Sequence, residues 1–180
     1  MSAGAAFAVW CGAALIVLSD GRRAMALGTA LIAGGLAGAT LADSGDWPAA
    51  ALLFVGGMAA AALRLRSGRP GWGFMPPGST PRLILSIAGG LVALWLATVV
   101  MTGGDPALRY AALVVLSFMA ARVLESHEPS IAVTAAVCIA LALGAASETE
   151  TGAESLLPYV LAAAIAAATS LIPAPRPDGA

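Results

Sequence analysis

The sequence predicts an all-α fold, a polytopic transmembrane bundle of about seven helices with its N-terminus outside and its C-terminus inside, and three observations carry that expectation. Hydrophobic residues make up 59% of the 180 and charged residues only 11%, against roughly 25% charged in a soluble domain. The apolar residues fall into runs near the roughly 17–25 residues that a helix needs to cross a bilayer. All nine basic residues are arginines, and alternating the runs across a membrane puts them almost wholly on one side.

The spans follow in order. The first covers 3–18 and closes at Ser19-Asp20-Gly21-Arg22-Arg23. The second covers 24–42 and stops at Asp43-Ser44-Gly45-Asp46, where Gly and Asp end the helix and turn charge to water. The third, 47–63, opens at Trp47-Pro48, proline being tolerated in a first helical turn. An inner loop over 64–82 follows, the one long polar interruption, with four prolines, four glycines and four arginines. The fourth span is 83–102, closed by Gly103-Gly104-Asp105, and the fifth is 106–124, opened by Pro106. Glu125 to Ser130 makes the next turn, the sixth span is 131–146, and the seventh is 155–172. Residues 1–172 thus form one transmembrane domain and 173–180, broken by prolines, a cytoplasmic tail.

Alternation places Arg22, Arg23, Arg64, Arg66, Arg69, Arg82, Arg122 and Arg176 on one side and only Arg109 on the other. That bias sets the orientation and makes the arginine-rich side cytoplasmic, in a multi-pass protein of the cell membrane, most simply a bacterial inner membrane. No basic residue precedes Arg22, so the first span lacks the charged start of a secretory signal and is expected to be retained. Trp47, Tyr110 and Tyr159 fall near the outer ends of spans three, five and seven, where amphipathic rings suit the interface, and Trp72 and Phe74 fall in the inner loop.

Two features concern packing. Gly34 and Gly38 form a GxxxG pair, and Gly56, Gly57 and Gly89, each with alanine one turn on, extend the expectation of close helix contacts. The segment from Ser44 to Pro70 overlays that from Gly103 to Pro129 at an offset of 59, and Ile32-Ala-Gly-Gly-Leu36 recurs as Ile87-Ala-Gly-Gly-Leu91 at an offset of 55. Spans two–three and four–five are therefore candidate tandem copies of a helix pair.

Chemistry-bearing residues are few. Arg109 and Arg122 each lie about one turn inside the fifth span, where a long side chain can snorkel to the interface; Arg109 is in addition a candidate outer anion contact. Arg122, Glu125, His127 and Glu128 gather charge at the inner face. With one histidine, no HExxH and two isolated cysteines, Cys11 and Cys138, neither a metal nor a disulfide is expected. No cofactor is implied, and nothing in the charge pattern suggests nucleic acid. Asp20-Gly21-Arg22-Arg23-Ala24 resembles the opening of the Asp-Gly-x-x-Ala-Arg motif of CDP-alcohol phosphotransferases. However, Met25 stands where that motif has Arg, and Gly38 and Ala42 stand where further metal ligands would follow.

The function expected from this pattern is non-catalytic: an accessory or scaffold subunit whose partners are the lipid bilayer and other membrane subunits, or further copies of itself, met through small-residue helix faces. The alternative is a small transporter or channel of repeated helix pairs, lined by Thr29, Thr40, Ser86, Thr98, Ser117 and Thr134.

Overall fold

The computed structural model describes residues 2–66, 70–74, 80–100, 105–125, 128–147 and 156–170. Among them are seven helices and no strand: α1 (Ser2–Leu18), α2 (Arg22–Asp43), α3 (Trp47–Arg64), α4 (Thr80–Trp95, continued by a π-helical turn over Leu96–Val100), α5 (Pro106–Glu125), α6 (Pro129–Ala146) and α7 (Leu157–Ser170). Helices α2 to α6 are long and apolar enough to cross a membrane, while α1 and α7 are apolar but shorter.

The helix starts show why the chain divides here. At α3, Asp46 accepts a hydrogen bond from the Ala49 N–H (3.2 Å) and Pro48 occupies the first turn. At α5, Asp105 accepts from the Ala107 N–H (3.0 Å) directly before Pro106. In both cases a carboxylate satisfies an orphan N–H at the positive end of the helix, and proline adds a preset φ where no donor is needed. Helix α4 begins earlier than the loop composition suggested, at Thr80, because Pro81 fits a first turn as readily as a loop.

The helices form two staggered layers. One row runs α4, α1, α2, α3 and the other α5, α6, α7; α5 lies across α4, α1 and α2, α6 across α2 and α3, and α7 against α3. Consecutive helices are neighbours except at one step, since α4 lies beside α1 on the far flank from α3. The connection from α3 to α4 must therefore pass the ends of α2 and α1, about three helix spacings or roughly 25–30 Å. A connection of ordinary length, at most roughly 3.3–3.6 Å per residue, would scarcely reach, which accounts for the long inner loop.

Close approach of backbones holds the first row together. A Cβ on Gly28 would lie 2.7 Å from the Gly12 carbonyl oxygen, one on Gly12 would lie 2.6 Å from the Gly28 oxygen, and one on Gly35 would lie 2.7 Å from the Ala5 oxygen. The residue numbers of these pairs, 12 with 28 and 5 with 35, have a constant sum, as an antiparallel crossing requires. The seam between α1 and α2 thus runs through Gly28 and Gly35, seven residues apart and on one helix face. A Cβ on Gly34, by contrast, would meet only the Phe54 ring, at 3.9 Å, and one on Gly38 the Ala5 methyl, at 3.4 Å. A Cβ on Gly57 would collide with Ala33 of α2, one on Gly56 would lie 3.0 Å from the Ala163 Cα of α7, and one on Gly89 would lie 3.0 Å from the Phe118 ring of α5.

The candidate copies can be compared through their shared Ala-Gly-Gly. In both, the first glycine (Gly34, Gly89) faces a phenylalanine of the next helix (Phe54, Phe118), and the second (Gly35, Gly90) packs on α1 at Val9 and Trp10. The wider packing differs: α2 lies along the length of α3, whereas α4 touches α5 sparingly.

Gly28→Ala is expected to force α1 from α2 and to cost about 1–3 kcal/mol, as overpacking does, whereas Gly34→Ala, with room for its methyl, is expected to be neutral or slightly stabilising. Thermal unfolding of the two variants in detergent, followed by circular dichroism, checks the order; equal midpoints would show that the seam does not limit stability.

Candidate functional site

Among the described residues the arginines gather at one end of the bundle. The α1–α2 break (Ser19–Gly21), the last turns of α3 and α5, the first turn of α4 and the start of α6 meet there. That end carries Arg22, Arg23, Arg64, Arg66, Arg82 and Arg122 among the described residues, whereas Arg109 lies at the opposite end of α5.

Arg122 departs from expectation. Instead of snorkelling outward it is 2% exposed and turned into the bundle, with its Nη2 on the Asp20 carboxylate and donating to the Ser19 carbonyl oxygen (3.2 Å). Its Nη1 lies 3.6 Å from Glu125 Oε2, one turn along α5. The reason is local: α1 ends at Leu18 and α2 begins at Arg22, so a carbonyl and a carboxylate are presented where α5 crosses their ends. Glu125 in turn takes Arg82 of α4, whose Nη2 and Nε lie 2.7 and 2.8 Å from Glu125 Oε1. A relay Asp20–Arg122–Glu125–Arg82 thus ties the α1–α2 break, α5 and α4 together.

Arg64, assigned by the sequence to the loop, is in the last turn of α3 and is also buried, within the electrostatic reach of Glu128. His127 lies outside the described residues. Among the described residues no cluster of three or more His, Cys, Asp or Glu side chains is placed to hold a metal ion. Asp20, the first acid of the phosphotransferase-like pentapeptide, is engaged by Arg122.

The inner loop packs on the same break. The backbone of Phe74 pairs antiparallel with Ser19, the Asp20 N–H donates to the Gly73 oxygen (3.2 Å) and the Arg23 N–H to the Gly71 oxygen (3.3 Å). The last of these gives an orphan donor of the α2 N-terminus its acceptor. Gly21 passes so near the Gly71 and Trp72 carbonyls that no Cβ fits, and Gly71 and Gly73 take positive φ (+93° and +55°), which glycine adopts without strain.

Of the six hydroxyls considered as a lining, five bond to their own helices, while that of Thr40 is fully buried without a hydrogen-bond partner among the described residues. Thr29, Ser86, Thr98, Ser117 and Thr134 each donate to a carbonyl three or four residues back on their own helix, and Thr98 and Ser117 are on the exterior. Of the aromatics placed at the outer interface, Trp47 is exposed and Tyr110 half-buried, but Tyr159 is 2% exposed, because α7 packs that face against α3 and α6.

Comparison with protein-family models, curated proteins and solved structures finds no match to this chain.

Asp20→Asn is expected to leave the Arg122 charge undercompensated and to cost about 2 kcal/mol, less than the roughly 3–5 kcal/mol of a sealed pair, since the Asp20 side chain is 26% exposed. The double variant Asp20→Asn/Arg122→Met is expected to recover part of the loss in a detergent thermal-unfolding assay. A double variant as impaired as the sum of the singles would show that the two residues act independently.

Proposed function

We propose that the chain is a non-catalytic scaffold or accessory subunit of a membrane complex, with all seven helices in the cell membrane of a bacterium, the N-terminus outside and the arginine-rich end in the cytoplasm. One observation carries the subunit reading. Helix α4, with its π turn, is only 22% buried and presents Ile84, Leu85, Leu91, Val92, Trp95 and Val99 outward. Among the described residues this helix, at the end of its row, touches only α1 and α5 of the other helices, which leaves most of its circumference free for a neighbouring apolar helix. The gathering of charge at one bundle end agrees with the positive-inside assignment. An origin of α2–α3 and α4–α5 by tandem duplication rests on the sequence overlay, since Phe54 and Phe118, which face Gly34 and Gly89, are not equivalent positions in it.

A transporter of repeated helix pairs would need its hydroxyls to share a cavity, and five of the six bond to their own helices instead. That contrast favours the scaffold.

A photo-crosslinker at Leu91 is expected to capture a protein of fixed stoichiometry in cell membranes, while the same group at buried Leu141 yields only intramolecular links. Capture of lipid alone at Leu91 would remove the subunit reading and send the question to flux assays. For orientation, a phosphatase reporter joined after Ser44 should be active and one joined after Gly71 inactive; the reverse pattern would invert the bundle.

A further inference from the structure

The charges at the arginine-rich end do not balance locally. Asp20 and Glu125 are engaged by Arg122 and Arg82, and Glu128 lies in the field of Arg64. Among the described residues no ion pair engages half-buried Arg22 or exposed Arg23 and Arg66. Two of these occupy the first turn of α2, where the helix dipole is already positive, and α2 has neither an acid in that turn nor a side-chain cap. Cations there are disfavoured, and an external anion would meet both the arginines and the dipole.

A second observation is independent of charge. Trp72 and Phe74 stack with ring centroids 5.5 Å apart and planes inclined by 12°, yet they are 44% and 50% exposed. They are not a loose loop tip. The Ser19–Phe74 pairing and the bond from the Arg23 N–H to the Gly71 oxygen hold them against the α2 N-terminus, within three residues of a backbone contact to Arg23. A stacked aromatic pair standing out beside uncompensated arginines combines the two features that suit the headgroup level of a bilayer, rings at the acyl boundary and guanidinium groups on phosphates.

We propose that Arg22, Arg23 and Arg66, with the stacked Trp72 and Phe74, form an anchor for the anionic phospholipid headgroups of the leaflet at this end of the bundle. The proposal rests on the membrane placement proposed above. Lipid rather than free phosphate is the occupant because a free anion would satisfy the arginines and leave the exposed rings in water. Arg82 and Arg122 belong to the internal relay and take no part.

The test is lipid retention by the full-length protein, read by native mass spectrometry from mild detergent with phosphatidylglycerol and phosphatidylcholine in competition. Wild type is expected to prefer phosphatidylglycerol and to lose that preference as sodium chloride rises. With about fivefold per arginine, R22Q/R23Q/R66Q should lose on the order of a hundredfold. W72A/F74A should weaken retention while keeping its salt dependence, and R109Q, at the other end, should change nothing. Helical circular dichroism confirms that each variant is folded. A folded triple variant that retains phosphatidylglycerol as wild type does overturns the proposal, as does an equal loss in R109Q. Displacement of lipid by inorganic phosphate beyond that by chloride at equal ionic strength would make the site a phosphate pocket and also overturn it. Release of the chain from vesicles by alkaline carbonate would refute the membrane placement itself, whereas a retained chain without lipid preference refutes the anchor alone.

Discussion

A guanidinium sealed inside an apolar bundle is the constraint around which this structure is arranged. Arginine does not shed its proton to escape burial, so Arg122 requires a carboxylate and acceptors within reach, and the break between α1 and α2 supplies both. The contact joins α5 to the ends of α1 and α2, residues more than a hundred positions apart in the chain. Glu125 and Arg82 then carry the same compensation outward to α4. Helix α4 shares little packed surface with the other helices, so the ion pair at its first turn and the seat of Gly90 against Trp10 are notable among its attachments.

Elsewhere the helices meet through small residues. In a bilayer, burying leucine against leucine brings little net gain, because lipid is equally apolar, and association depends on dispersion contacts between backbones that can come close. The pairs Gly12–Gly28, Ala5–Gly35 and Ala33–Gly57 are such approaches. They make α1–α2–α3 the tightest part of the molecule, while the larger side chains of α4 point outward. The division into a rigid row and an open flank is thus written in residue size.

The elements were legible in the sequence because their punctuation is chemical: Asp46 before Pro48 and Asp105 before Pro106 mark helix starts that follow from local rules, whereas α6 begins at Pro129, two residues before the expected 131, with no side-chain cap from Glu128. The seam was less legible. Gly34 and Gly38 have the familiar four-residue spacing, but the close contacts run through Gly28 and Gly35, and only the position of α1 selects between those faces. The fate of Arg122 was not legible from its own surroundings, since a cation one turn from a helix end is compatible with reaching outward. The available signal was Asp20, an acid in the break between the first two spans and on the same side of the alternation, 102 residues away. The order of helices within the first row had no local signal beyond the length of the α3–α4 connection.

That order has a consequence for how the protein is made. In the row α4, α1, α2, α3 the second, third and fourth places are filled by consecutive hairpins as the chain emerges, but the first place is filled last, after the chain has doubled back across their ends. Until then the flank of α1 carrying Trp10, on which Gly90 sits, is uncovered. Asp20 likewise waits for a counter-charge that arrives only when α5 is synthesised. The late helices thus complete a row whose other members are consecutive hairpins, and the ion pair to Asp20 is a contact that only α5 can supply.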